Sequence, residues 1–146
     1  MSIVRINLFT VNAIKSYLAS IEPEVPKGGY NLPNEHFISF GVKHGIDAIN
    51  WMLREGKMWV PRTGLKWDKF DPYADIYPTH GASTIETVEF NRIDRQTVEL
   101  IVMKLEKEAH NLGQETDSTM YYFEYSWAMY ELAKKVRERF IQRPPN

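Results

Sequence analysis

No cysteine occurs anywhere in the chain, which excludes a disulfide framework, a thiol nucleophile and a zinc–thiolate centre. No stretch approaches the roughly 18 consecutive apolar residues that a membrane span needs. Charge of one sign is not in surplus either. Lys and Arg number 18 against 19 Asp and Glu, a formal net charge of -1, where a dedicated duplex-binding protein shows a basic excess. Neither GxGxxG nor GxxxxGK[ST] is present, so no phosphate-cradling loop is expected. His36, His44, His80 and His110 form no HExxH, HxH or HxxxH pair, and no metal or other cofactor is expected. Residues 1–9 alternate and carry Arg5 in place of the continuous apolar segment of a signal peptide. These absences together point to the reducing cytoplasm and to no membrane partner.

What is present is the material of a folded domain. The 146 residues, 43% hydrophobic and 25% charged, are enough for one core, and residues 1–146 are expected to form a single globular domain. Aromatics are abundant, with 7 Phe, 8 Tyr and 4 Trp. Such a load exceeds what one small core ordinarily takes, and the amphipathic Tyr and Trp suit a contact surface.

Periodicity predicts the elements. Residues 3–9 alternate as a half-buried strand, and Thr10 is placed to cap a helix striped by Val11, Ile14, Leu18 and Ile21. Pro23, Pro26, Gly28, Gly29 and Pro33 punctuate a loop. Asn34 is the expected cap of a helix running to about Glu55, with Phe37, Val42, Ile46, Ile49 and Leu53 on one stripe and Gly56 after its end. Gly41 and Gly45 either break that helix or let another backbone approach closely. Residues 57–81 form a long irregular, aromatic-rich segment, with a short strand expected near Met58. Residues 84–90 alternate as a second strand. Asn91 or Asp94 caps the next helix, striped by Val98, Ile101, Val102, Leu105, Ala109 and Leu112 and closed by Gly113. The last helix, capped by Ser118, carries Met120, Phe123, Trp127, Tyr130, Ala133, Val136 and Phe140 on one stripe. The expected fold class is α+β, a small two- or three-stranded sheet packed against about four helices.

Several residues have the chemistry for a site. His80 lies in the irregular segment just before a strand, where functional residues concentrate, and Glu86 is a carboxylate on that strand. A small hydrolase or lyase with a pocket near His80 is one alternative. Trp59, Arg62, Lys66, Trp67 and Phe70 interleave aromatic and basic groups as single-stranded nucleic-acid binders do, although Asp68 and Asp71 dilute the charge. A weak single-stranded nucleic-acid binder is the second alternative. His44, with Asp47 three residues on, is expected to be a structural histidine. Tyr121, Tyr122, Tyr125 and Met129 widen the apolar face of the last helix beyond one stripe and are the expected partner-binding residues. The favoured expectation is therefore a non-catalytic protein-interaction module acting as a small oligomer. Its partner is first a second copy of itself in a homodimer, or another protein, with nucleic acid disfavoured by the charge balance.

Overall fold

A computed structural model of the chain describes residues 3–24, 33–59, 82–113 and 122–141. Among the described residues seven elements follow in order: β1 (Ile3–Asn7), α1 (Leu8–Ser20), α2 (Asn34–Glu55), β2 (Lys57–Trp59), β3 (Ala82–Val88), α3 (Arg95–Gly113) and α4 (Tyr122–Phe140). They make a small α+β fold in which a three-stranded sheet, ordered β1-β3-β2, packs against four helices. β1 runs parallel to β3, in the register Val4 to Ile85 and Ile6 to Thr87. β2 runs antiparallel to β3, with Met58 opposite Ser83. Because side chains alternate along a strand, this register puts Val4, Ile6, Met58, Ser83 and Ile85 on one face. Val4, Ile6, Met58 and Ser83 are buried there, whereas Ile3, Arg5, Lys57, Thr84 and Glu86 on the other face are exposed.

The first strand is shorter than its alternation suggested, because Asn7 ends β1 and caps α1 at once. Its backbone is extended, and its Oδ1 accepts from Phe9 N, which leaves Thr10 inside the helix and buried. Asn34 likewise falls inside α2. Pro33 holds the cap position and makes no side-chain bond there, as suits a residue whose ring fixes its backbone next to a helix start. At the far end of α2, Gly56 adopts a left-handed φ of 66° and its N–H reaches Met52 O and Leu53 O. α3 is capped by Asp94, whose Oδ2 accepts from Thr97 N and Thr97 Oγ1.

α3 is the central helix. Thr97, Val98, Leu100, Ile101, Val102, Met103, Leu105, Ala109 and His110 are all buried, and the helix touches α1, α2, α4 and β1. α4 lies between α3 and α2 with its aliphatic side inward. Ser126, Ala128, Met129, Leu132, Ala133 and Val136 are buried, while Phe123 and Trp127 are exposed. Of the expected stripe, Ala133 and Val136 are buried and Tyr130 and Phe140 pack against the core, but Phe123 and Trp127 turn outward, and the reason lies in α2. That helix is continuous, and at Gly41 it comes so close to α4 that an added Cβ would stand 2.8 Å from Leu132 Cδ1 and 3.6 Å from Ala128 Cβ. A crossing that tight has room for alanine and for one interdigitated leucine, not for a row of rings.

Candidate functional site

A cleft among the described residues lies along α2 where it meets α3. His44, Asp47, Trp51 and Arg54 line it from α2, and Lys104 and Glu108 line it from α3. The spacing on α2 is three, four and three residues, which keeps these side chains on one side of the helix, and Lys104 and Glu108 are a turn apart. The cleft holds about 500 Å³, within the size range of small-molecule sites.

Its polar groups are linked in a line. His44 Nε2 lies 3.1 Å from Glu108 Oε2, and Lys104 Nζ lies 3.0 Å from Glu108 Oε1. The same ammonium sits 5.4 Å from the centroid of Trp51, which is 40% exposed. On its other side the His44 ring stacks on Phe40, with centroids 5.4 Å apart and planes at 12°. Phe40 in turn packs on Tyr125, whose hydroxyl lies 3.2 Å from His36 Nε2. The imidazole is thus fixed by a carboxylate in its plane and a ring against its face. Its partner is Glu108, 64 residues away, and not Asp47 as the sequence spacing suggested.

The hydrogen bond from His44 is the main cause that lowers the Glu108 carboxyl from 4.5 to about 2; partial burial opposes it, and the Lys104 charge adds to it. Glu106, two residues before Glu108, is shifted the other way, raised by burial against the opposing pull of Arg137. The depressed Glu108 value has a consequence for stability. A carboxyl whose folded-state value lies below its unfolded one stabilises the fold fully above about 4.5, and that contribution disappears as pH falls through about 2. Between those limits the unfolding free energy is expected to drop by about 2 kcal/mol on account of this group, less than the roughly 3 kcal/mol of the whole shift because solvent screens the partly exposed carboxylate. Glu108→Gln should flatten that part of the stability profile in urea titrations at stepped pH. An unchanged acid slope in the variant would place its origin in other carboxylates.

The residues singled out in the sequence are distributed differently. Met129 is buried in the core between helices, and Tyr125 is half-buried in the His36, Phe37 and Phe40 cluster. Neither therefore belongs to an exposed surplus. Tyr122 is half-buried at the start of α4, and Tyr121 lies outside the described residues. Glu86 is exposed on the open face of the sheet, opposite Arg5 in register, and does not line the cleft. His80, Arg62, Lys66, Trp67 and Phe70 lie outside the described residues, and of Trp59 only its backbone place in β2 is described.

Trp51, Arg54, Lys104 and Glu108 had no place in the sequence-level expectation. Their signal was faint: an i, i+4 Lys–Glu pair on one helix, and a histidine two turns before a tryptophan on another. Among the described residues no group of three or more His, Asp or Glu could hold a metal ion, and no helix is long and apolar enough to cross a membrane. The chain matches no family model, no curated protein and no solved structure.

Proposed function

We propose that the chain is a protein-interaction module of the cytoplasm that acts as a homodimer, joined through the outward face of the first half of α4. One observation supports this reading. Phe123 and Trp127, four residues apart on that helix, are 81% and 39% exposed. Residues at that spacing stand side by side, so the two rings make one patch, which the half-buried Tyr122 adjoins at the helix start. Large aromatics are the groups that contribute most where they are covered at a contact. A two-fold contact is the commonest way to cover such a patch, because each copy supplies the same surface. The absence of cysteine suits a reducing compartment.

The test is the mass in solution. Light scattering after size exclusion, across a concentration series, should give twice the chain mass. Phe123→Glu should return it to the chain mass. The thermal midpoint of the unassociated chain should not move, since an exposed side chain contributes little to the fold. A wild-type monomer at the highest soluble concentration would exclude the homodimer, and a dimer indifferent to Phe123→Glu would exclude this face.

A further inference from the structure

In the cleft between α2 and α3, His44 combines a fixed carboxylate partner with a place in the cleft wall. We infer that it is a general-base site, with His44 as the base, Glu108 as its positioning residue and a small aryl ester as the class of substrate. This activity is separate from the α4 face and does not rest on dimerisation.

The tautomer comes first. An ionised carboxylate only accepts hydrogen bonds, so the 3.1 Å contact requires His44 Nε2 to carry the proton. A neutral imidazole then has its lone pair on Nδ1, and among the described residues nothing hydrogen-bonds that atom. Glu108 stays ionised throughout the neutral range, its carboxyl held at about 2 chiefly by that same bond, so it remains an acceptor for Nε2. Phe40 against the ring face removes the remaining freedom of rotation. A base held in one tautomer and one orientation, at the wall of an open cleft, is what proton abstraction from a bound water needs.

The other groups define the rest of the reaction. Lys104 has three donors, and Glu108 Oε1 takes one at 3.0 Å. Lys104 lines the same cleft and brings positive charge to it, which favours the oxygen that becomes negative when a carbonyl is attacked. Trp51 gives a flat apolar wall, 40% exposed, for an aromatic group. The step balances without a further reactant. His44 Nδ1 takes a proton from water while the water oxygen bonds to the ester carbonyl carbon. The carbonyl π pair moves to its oxygen and returns. The C–O bond to the phenol then breaks, and the proton on Nδ1 passes to the departing oxygen, leaving acid and phenol.

The probe is p-nitrophenyl acetate with the full-length chain. Saturable release of p-nitrophenolate is expected, faster per site than free imidazole at the same concentration. His44→Ala should lower kcat by about 100-fold or more, and added imidazole should restore a large part of it by occupying the space left by the ring. Glu108→Gln should lower kcat about 10-fold with KM little changed, because it acts on the base and not on the ester. Circular dichroism separates loss of activity from loss of fold. Should His44→Ala not fold, His44→Gln, which keeps a hydrogen bond to Glu108, is the comparison and should be equally inactive. A wild-type rate that never saturates, or that does not exceed free imidazole, would overturn the inference. So would full activity in a folded His44 variant.

Discussion

Asn7→Ala is expected to lower the unfolding free energy by about 3–5 kcal/mol, a large part of the 5–15 kcal/mol that a domain has. The side chain is buried, and it joins two segments distant in sequence, residues 7–10 and 90–92. Its Oδ1 accepts from Phe9 N at 3.2 Å and from Phe90 N at 3.1 Å. Its Nδ2 donates to Arg92 O at 2.7 Å and to Thr10 Oγ1 at 3.1 Å. Its own N–H donates to Thr97 Oγ1 at 3.0 Å. Thr10 Oγ1 accepts from Asp94 N, so one asparagine and two threonines hold the ends of β1 and β3 to the starts of α1 and α3. Alanine removes an N-cap, worth about 1 kcal/mol. It also strands the Phe90 donor and weakens the hold on Arg92 O, each costing about 1–3 kcal/mol. Asn7→Ser divides these contributions. A serine oxygen can still cap α1 but cannot reach the segment after β3, so it should recover about 1 kcal/mol of the loss. Urea unfolding of the three proteins measures both differences. A loss in Asn7→Ala below 1.5 kcal/mol, on the order of a cap alone, would mean that water replaces the other bonds. Serine equal to wild type would mean the same.

This knot shows where sequence reasoning reaches and where it stops. Asn7 was legible only as one member of an alternating run, because a residue that ends a strand and caps a helix leaves no loop between them to announce the change. The buried rows were legible, since period alone assigns them. Val4 and Ile6 face inward, Val11, Ile14 and Leu18 stripe α1, and Val98, Ile101, Val102, Leu105 and Ala109 stripe α3. Gly56 was legible as a helix stop because few other residues adopt its φ of 66° without strain.

The stripe of α4 was legible at Ala133 and Val136 and misjudged at Phe123 and Trp127, where burial was assigned by side-chain size. The deciding constraint was the distance to α2, which no property of α4 by itself encodes. The cleft was illegible for a related reason. The bond between His44 and Glu108 depends on how α2 and α3 are set side by side, and spacing along one helix points instead to Asp47.

Gly41→Val is expected to destabilise the fold by about 3 kcal/mol, and the reason is the same crossing of α2 and α4. Gly41 is a helix-interior glycine without a positive φ, so replacing it with alanine would ordinarily stabilise by about 1 kcal/mol. Here the new Cβ would stand 2.8 Å from Leu132 Cδ1, and Leu132 is wholly buried. The leucine cannot swing into solvent and must displace its neighbours in a close-packed core, which costs about 1–3 kcal/mol. Gly41→Ala should therefore lose about 1 kcal/mol net where propensity alone predicts a gain. Valine adds two methyl groups toward Ala128, whose backbone carbon would be 3.7 Å from the first added atom and has no rotamer by which to retreat. Leu132→Ala identifies the clash as the cause. Alone it should lose about 2–5 kcal/mol by opening a cavity. In combination with Gly41→Ala the new methyl enters that space, so the double variant should be more stable than the sum of the two losses by at least about 1 kcal/mol. Urea midpoints with unchanged slopes give the four free energies of this cycle. If the two substitutions add without coupling, or if Gly41→Val is as stable as wild type, then the contact between α2 and α4 at this point is not what requires the glycine.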